Sequence, residues 1–178
     1  MVKKLKVGLI GGTGLVGQRL VSLLHNHPWF EVTAIAASAQ SAGKTYREAV
    51  EGRWKLQTEI PEKIGDIVVQ NASDVLEFSE GVDFVFCAVD MNKEETKALE
   101  EKYAQAETPV VSCNSANRLV QDVPMVIPEL NSDHIQIIEH QRKRLGTKSG
   151  FIAVKPNCSI QSYVPPLHAL REFKPKQV

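Results

Sequence analysis

A glycine-rich turn between an apolar run and a helical pattern constrains the fold of this chain more than any other feature. The run from Leu5 to Ile10 predicts a buried strand, and the residues GGTGLVG follow it at once. Gly12, Gly14 and Gly17 meet the G-x-G-x-x-G spacing, which permits a sharp turn, backbone approach to a pyrophosphate and close helix–strand packing. Residues 15–25 then carry helical spacing, so the positive end of a helix faces the expected phosphates. The segment predicts a dinucleotide-binding unit.

Strand-like and helix-like segments alternate along the rest of the chain. This alternation predicts a Rossmann-like, doubly wound α/β fold with a mostly parallel sheet. Within the first helix we expect a buried face that contains Val16, Leu20, Leu23 and Leu24. Further strands are predicted at residues 30–37, 66–69, 83–89, 108–112 and 151–154, and further helices at 92–103, 131–142 and 162–172.

The composition excludes several classes of protein. A chain of 178 residues can bury one substantial core, and its 21 basic and 21 acidic residues create no global field that attracts nucleic acid or anionic lipid. Its basic start leads into the glycine turn instead of an apolar signal region, and no apolar run is long enough to span a bilayer. The widely spaced Cys87, Cys113 and Cys158 argue against a disulfide scaffold or a metal site. We expect a cytoplasmic protein without a metal.

The second predicted strand ends without the acidic residue that NAD-specific sites use to bind the ribose 2′-hydroxyl. Residues 30–37 are followed instead by Ser38, Gln40, Ser41 and Lys44. Hydroxyl groups and a lysine suit an additional phosphate, so the sequence favours NADP over NAD. The alternative is an ordinary polar loop with a solvated lysine.

Two polar segments follow later strands, at the sheet edge where open parallel sheets bind ligands. Residues 113–118 end in Arg118, whose guanidinium can bind a carboxylate or phosphate through two parallel hydrogen bonds. Cys158 follows residues 151–154 at a strand-to-helix junction, where a helix dipole and backbone N–H groups stabilise a thiolate. The alternatives are a solvated arginine and a small cysteine that fills a tight turn.

These motifs together resemble the aspartate-β-semialdehyde dehydrogenase family, and most closely its archaeal and fungal branch. The resemblance runs in register over the whole chain. One departure is Gln40, which stands where many relatives carry arginine and leaves NAD as the alternative cofactor. The segments that carry the resemblance are GGTGLVGQ at 11–18, residues 38–43, NSANR at 114–118, IPELN at 127–131 and PNCSIQ at 156–161.

The resemblance implies an NADP-dependent enzyme that interconverts aspartate semialdehyde and aspartyl phosphate, on the route to lysine, threonine, methionine and isoleucine. Cys158 would carry the acyl group as a thioester, Gln161 would assist at the substrate, and Arg118 would bind the phosphate group. Residues 1–154 would form the dinucleotide-binding domain, and residues 155–178 would begin a catalytic and dimerisation domain of a homodimer or homotetramer. The implied cofactor contacts are Gly11, Thr13, Gly14, Leu15, Val16, Ser38 and Ser41.

The family also supplies a general-base histidine from its second domain, and no histidine of this sequence replaces it. His168 follows Cys158 by ten residues, which is about 15 Å along a continuous helix. The remaining histidines are His25 and His27 at the end of the first helix and His134 and His140 on a surface helix. We therefore expect these 178 residues to bind a dinucleotide without turnover.

Three alternatives stay open at this point. Malonyl-CoA reductase shares nearly all the motifs, whereas N-acetyl-glutamyl-phosphate reductase tends to have glycine where Asn157 stands. A non-catalytic dinucleotide-binding subunit would keep the glycine turn with an unreactive Cys158. The pH dependence of thiol alkylation separates this last reading from the enzymes, because an activated cysteine reacts below the pKa of a free thiol, about 8.5.

Overall fold

One six-stranded sheet organises the computed structural model, which describes residues 3–174 and 176. Every neighbouring pair of strands is parallel, in the order β3-β2-β1-β4-β5-β6. This order reverses direction between β1 and β4, as in dinucleotide-binding α/β folds, so the predicted fold class is confirmed. The strands are β1 (Leu5–Ile10), β2 (Phe30–Ala37), β3 (Gln70–Asn71), β4 (Phe84–Cys87), β5 (Val110–Ser112) and β6 (Ile152–Val154).

Helices connect the strands. In the part of the chain that the structure describes, no helix is both long and apolar enough to cross a membrane. The α-helices are α1 (Leu15–Leu24), α2 (Tyr46–Ala49), α3 (Glu62–Gly65), α4 (Val75–Glu80), α5 (Lys93–Gln105), α6 (Pro128–Asn131), α7 (Ile138–Leu145) and α8 (Cys158–Ala169). Two 3₁₀ turns occupy Ser132–Ile137 and Arg171–Phe173.

The core consists of two apolar clusters that share the sheet. One cluster joins Leu9 of β1 to Val21 of α1 and to residues of α2 and α3. The other joins Ile10 of β1 to Leu99 and Tyr103 of α5 and to residues of α4. Because successive strand residues point to opposite faces, β1 contributes to both clusters.

The predicted buried face of α1 was wrong for two of its four residues. Val16 is 49% exposed and Leu23 is 57% exposed, whereas Gln18 and Val21 are buried. The reason is the contact between Gly17 and the glycine turn, where an added Cβ would lie 2.5 Å from the Cα of Gly12. This contact sets the rotation of the helix about its axis, and hydrophobicity alone does not reveal it.

Three element boundaries also differ from the prediction. Instead of the strand expected at residues 66–69, the chain forms β3 at Gln70–Asn71, and Val68 makes only an isolated bridge to Thr45. The helix expected at 131–142 is divided between α6, a 3₁₀ turn and α7. The helix expected from residue 162 begins earlier, at Cys158, because the side chain of Asn157 caps it by accepting a hydrogen bond from the Ile160 N–H at 2.9 Å.

A carboxylate cap connects the end of α5 to the loop before β6. The side chain of Glu107 accepts hydrogen bonds from the backbone N–H groups of Gly150, Ser149 and Lys148 and from the Ser149 hydroxyl. These bonds, the one from Gly150 foremost, lower the pKa of Glu107 to about 2. Gly150 itself must be glycine, since a Cβ there would lie 1.8 Å from the Ala104 carbonyl oxygen.

We expect Glu107→Gln to destabilise the chain at neutral pH and to lose this effect in acid. The pKa of Glu107 falls on folding, from 4.5 to about 2, so its contribution is complete above about pH 5 and disappears towards pH 2. Urea unfolding of both chains at pH 7, 5 and 3 measures the difference. Glu59→Gln, at an exposed position, is the control, and a difference that stays constant with pH would contradict the assignment.

Candidate functional site

A cleft of about 460 Å³ opens at the carboxyl ends of β1, β2, β3 and β4. It spans the position where the strand order reverses, which is where such sheets bind nucleotides. The lining comes from Gly11, Thr13 and Gly14 after β1, residues 37–39 after β2, residues 71–73 after β3, residues 88–91 after β4, and Leu99. Of these residues the sequence named Gly11, Thr13, Gly14 and Ser38. It missed residues 71–73, because β3 was placed too early, and it assigned no role to residues 88–91 or to Leu99.

The glycine turn brings backbone to the floor of this cleft. Gly11 has a φ of +79°, and a Cβ there would lie 2.5 Å from the carbonyl oxygen of Ala88. Gly14 is the N-cap of α1 and has no side-chain cap, so the N–H groups of the first turn remain available to an anion. A Cβ at Gly14 would meet only the Gly11 oxygen, at 3.5 Å. The turn therefore has the geometry that a pyrophosphate requires.

Leu15 and Val16 occupy that first helical turn. Their side chains are 63% and 49% exposed and do not belong to the cleft lining. Only their backbone N–H groups can serve a phosphate, which is how helix N-termini bind anions.

Two buried side chains support the turn through hydrogen bonds to its carbonyl groups, and neither was predicted from the sequence. The amide of Gln18 donates to the carbonyls of Thr13 at 3.1 Å and Arg53 at 3.0 Å. The hydroxyl of Tyr46 donates to the Gly12 carbonyl at 3.0 Å, and burial raises the pKa of this tyrosine. Polar residues that follow a glycine turn at helical spacing are the signal that could have identified Gln18.

The end of β2 fits an additional phosphate better than a bare ribose hydroxyl. Ala37, Ser38 and Ala39 line the cleft there, and no carboxylate stands among them. Ser41 is only 5% exposed, and its backbone N–H donates to the Ser38 carbonyl at 2.9 Å. Ser38 is therefore in contact with the cleft, whereas Ser41 shapes the turn that presents it.

Arg118 lies in the loop after β5 and is anchored by backbone. Its Nε donates to the Lys155 carbonyl at 3.1 Å, and its Nη2 donates to the Cys113 carbonyl at 3.3 Å. Two of the five donors of an arginine are thus used, and the others remain for an anion. The two bonds connect the loop after β5 to the segment that leads into Cys158.

Cys158 is the first residue of α8 and is exposed. Gln161 lies on the first turn of the same helix, and its Oε1 accepts a hydrogen bond from Lys155 Nζ at 3.3 Å. Because β6 is two strands from β4, the start of α8 is about 10 Å across the sheet from the cleft. Cys158, Gln161 and Arg118 thus all follow the carboxyl ends of β5 and β6, at the same edge of the sheet as the cleft.

The other two cysteines differ from Cys158 in their surroundings. Burial raises the pKa of Cys113 against the opposing effect of Lys155, and Glu100 adds to the increase. Burial also raises the pKa of Cys87, again with a contribution from Glu100. Both therefore stay in the thiol form.

No metal cluster accompanies Cys158 in the described residues, and neither His168 nor His134 forms a hydrogen bond with it there. Residues 3–174 and 176 contain no group of three or more metal-ligating side chains. His168 lies near the far end of α8, about 15 Å along the axis from its start. His134 is engaged elsewhere, with its Nδ1 atom 3.2 Å from the Met125 carbonyl oxygen.

A family model described as semialdehyde dehydrogenase, NAD binding domain, matches residues 6–138. The chain belongs to this family. The match covers the glycine turn, the cleft and the loop of Arg118, and it confirms the family that the motifs resemble.

Named relatives agree with this assignment. Aspartate-semialdehyde dehydrogenase of Aspergillus fumigatus is 39% identical over 168 residues, which cover 94% of this chain and 45% of the relative. The enzyme of that name from Archaeoglobus fulgidus is 40% identical over 155 residues, covering 86% of this chain and 42% of the relative. The chain thus spans less than half the length of these relatives.

A solved structure has the same fold. The crystal structure of aspartate semialdehyde dehydrogenase with NADP from Candida albicans superposes with a TM-score of 0.82 at 38% identity. The match covers 96% of this chain and 47% of that one.

Alanine at two glycines of the turn should separate folding from ligand binding. We expect Gly17→Ala to lower the free energy of unfolding by about 1–3 kcal/mol, because its Cβ would overlap the Gly12 backbone. Gly14→Ala should cost about 1 kcal/mol or less as a poorer N-cap. It should nevertheless weaken NADP⁺ binding by at least about tenfold, since its methyl group occupies the path of the pyrophosphate. Urea unfolding and calorimetric titration measure the two effects, and unchanged affinity in Gly14→Ala would contradict the site.

Proposed function

We propose that this chain is the dinucleotide-binding and nucleophile-bearing part of an NADP-dependent aspartate-semialdehyde dehydrogenase. The enzyme would interconvert aspartate semialdehyde and aspartyl phosphate. The observation that carries the proposal is the arrangement of one sheet edge, where the phosphate-binding turn, the anchored Arg118 and the exposed Cys158 follow β1, β5 and β6. Relatives of 39–40% identity with that name support the substrate class.

NADP is the proposed cofactor, and Ser38 is the residue we assign to its 2′-phosphate. Support comes from the carboxylate-free end of β2 and from the NADP complex of the relative from Candida albicans. Bound NADP would accept or donate the hydride. The N–H groups of the first turn of α1, which lack a side-chain cap, would bind the pyrophosphate.

Cys158 is the proposed nucleophile. In the oxidative direction its Sγ would attack the aldehyde carbon and form a thiohemiacetal, which becomes a thioester when its carbon loses the hydride and its hydroxyl loses a proton to solvent. A phosphate oxygen would then attack the thioester carbon, releasing the thiolate and aspartyl phosphate. The backbone N–H groups at the start of α8 would stabilise the oxyanion in both steps.

Arg118 and Gln161 would orient the reactants around this thiol. The donors of Arg118 that face no backbone carbonyl suit a phosphate or carboxylate. Gln161 would contact the substrate, with its Oε1 held by Lys155.

Residues 1–154 are proposed as the dinucleotide-binding domain and residues 155–178 as the start of a catalytic and dimerisation domain of a homodimer or homotetramer. The support is that α8 contains no buried residue, unlike α1 and α5. Residues 1, 2, 175, 177 and 178 of this division lie outside the described residues. The three free cysteines support a reducing cytoplasm as its location.

Ser38→Ala should separate the two cofactors. A hydrogen bond to a charged group contributes about 1.5–3 kcal/mol, so we expect NADP⁺ affinity to fall by about tenfold or more. NAD⁺ affinity should change by less than about twofold, because NAD⁺ has no 2′-phosphate. Titration calorimetry on the 178-residue chain gives both values, with Ser132→Ala, at an exposed serine outside the cleft lining, as the control. Equal losses for both cofactors would refute the role of Ser38.

The chemical step can be tested with the chain by itself. We expect aspartate semialdehyde and NADP⁺ to yield at most one equivalent of NADPH per chain, seen as absorbance at about 340 nm. Cys158→Ser should abolish this burst and Cys113→Ser should preserve it, because only the exposed thiol forms the thioester. Steady NADPH formation after phosphate is added would contradict the expectation that this chain lacks its general base.

The alternatives give different results in the same assays. Acylation of Cys158 by malonyl-CoA but not by aspartyl phosphate would favour malonyl-CoA reductase. Dinucleotide binding with a Cys158 that alkylates no faster than a free thiol would favour a non-catalytic subunit.

A further inference from the structure

The carboxylate of Glu100 is completely buried in the middle of α5. Its Oε1 accepts hydrogen bonds from the Ser112 hydroxyl at 2.5 Å and from the Asn114 amide at 3.1 Å. Its Oε2 accepts one from the Asn117 amide at 2.7 Å. All three donors belong to β5 or to the loop that follows it.

No cation pairs with this carboxylate within the described part of the chain. The ion pairs found among residues 3–174 and 176 join Arg142 to Glu139 and Arg144 to Glu101 and Asp122. A buried carboxylate without a cation is costly and persists only when hydrogen bonds satisfy it. Three neutral donors perform that task here, so the loop is organised around Glu100.

The donors of Glu100 lead directly to Arg118. Asn117 is its neighbour in sequence, and the Asn114 N–H donates to the Ser112 hydroxyl oxygen at 3.0 Å. The backbone of Ser112 in turn accepts a hydrogen bond from the Lys155 N–H at 3.1 Å, and the Lys155 carbonyl receives Arg118 Nε. A continuous set of hydrogen bonds therefore runs from Glu100 to the segment before Cys158.

The amide of Asn117 shows how the carboxylate imposes an orientation. Its Nδ2 faces Glu100, whereas its buried Oδ1 has no hydrogen-bond partner within the described part of the chain. Since a carboxylate only accepts, the amide must present its donor even though its other end is left unsatisfied.

We propose that Glu100 is a positioning residue for the reaction: its buried carboxylate holds the loop after β5 so that Arg118 is fixed against the segment that leads into Cys158. The inference deepens the proposed function and rests on it. Glu100 touches neither the expected substrate nor the cofactor, so it acts through Arg118.

The test follows the Nε–H signal of Arg118 in ¹⁵N-labelled chain, assigned with Arg118→Lys. In the wild type we expect this proton to exchange with water at least about tenfold more slowly than that of an exposed arginine. Glu100→Gln should remove the protection. Its side-chain NH₂ group is a donor, and it would face another donor, either the amide of Asn117 or the groups of Ser112 and Asn114. Ser112→Ala, which deletes one donor without a change in charge, should raise the exchange rate in the same direction.

Two controls distinguish positioning from general destabilisation. Arg144 Nε donates to Asp122 at 2.6 Å on the surface, and its signal should remain unchanged in Glu100→Gln. Glu101→Gln, one residue along the same helix, should leave Arg118 protected. Persistent protection of Arg118 in both Glu100→Gln and Ser112→Ala would overturn the proposal. If Arg144 also loses its protection in Glu100→Gln, that variant is destabilised in general and the Arg118 signal of Ser112→Ala decides. Lost protection there supports the proposal, and persistent protection overturns it.

NADP⁺ titration distinguishes a failure of this inference from a failure of the proposed function. We expect wild type and Glu100→Gln to bind NADP⁺ within about twofold of each other, since Glu100 does not line the cleft. A wild-type chain that binds no dinucleotide would refute the proposed function, while the Arg118 signal would still report on Glu100.

Discussion

The approach of α1 to the glycine turn is the contact on which the rest of the cleft depends. With Gly17 seated against the backbone of Gly12, the helix can begin within a few residues of β1, and its first N–H groups have no side-chain cap. The same contact turns Gln18 and Val21 inward, where one supports the turn and the other joins the core. A side chain larger than hydrogen at residue 17 would overlap the backbone of Gly12, so this contact requires glycine.

Buried polar side chains repeat this supporting role along the ligand edge. Gln18 and Tyr46 hold the turn after β1, and Glu100 holds the loop after β5. Gln18 and Tyr46 bond to backbone groups, and Glu100 accepts from two side-chain amides and a hydroxyl, so the residues expected to meet ligand are held by the domain interior. A bond between neutral groups contributes about 1 kcal/mol and one to a charged group about 1.5–3 kcal/mol, but the unpaired group left by its removal costs more.

The sequence was informative where one local rule decides the outcome. The glycine spacing, the apolar strands and the start of α5 just after residue 92 all follow from nearest neighbours along the chain, and the structure has them. Glu100 shows the limit of such rules. It occupies a core position of α5 between Leu99 and Tyr103, and only the arrival of three donors from a distant loop makes a carboxylate tolerable there. The positions of Ser41 and β3 likewise depend on how the chain turns after β2, which composition does not encode.

The edge of the sheet beside Cys158 has one more property. On the outer side of β6, the amide of Gln141 exchanges two hydrogen bonds with the backbone of Ile152, as a neighbouring strand residue would. The backbone of Val154 is bonded on that side to Pro124 and Val126. A parallel sheet normally ends in a row of open donors and acceptors that invites another chain to add a strand. Here that row is already occupied, so this edge offers no template for aggregation, although Cys158 beside it is exposed to solvent.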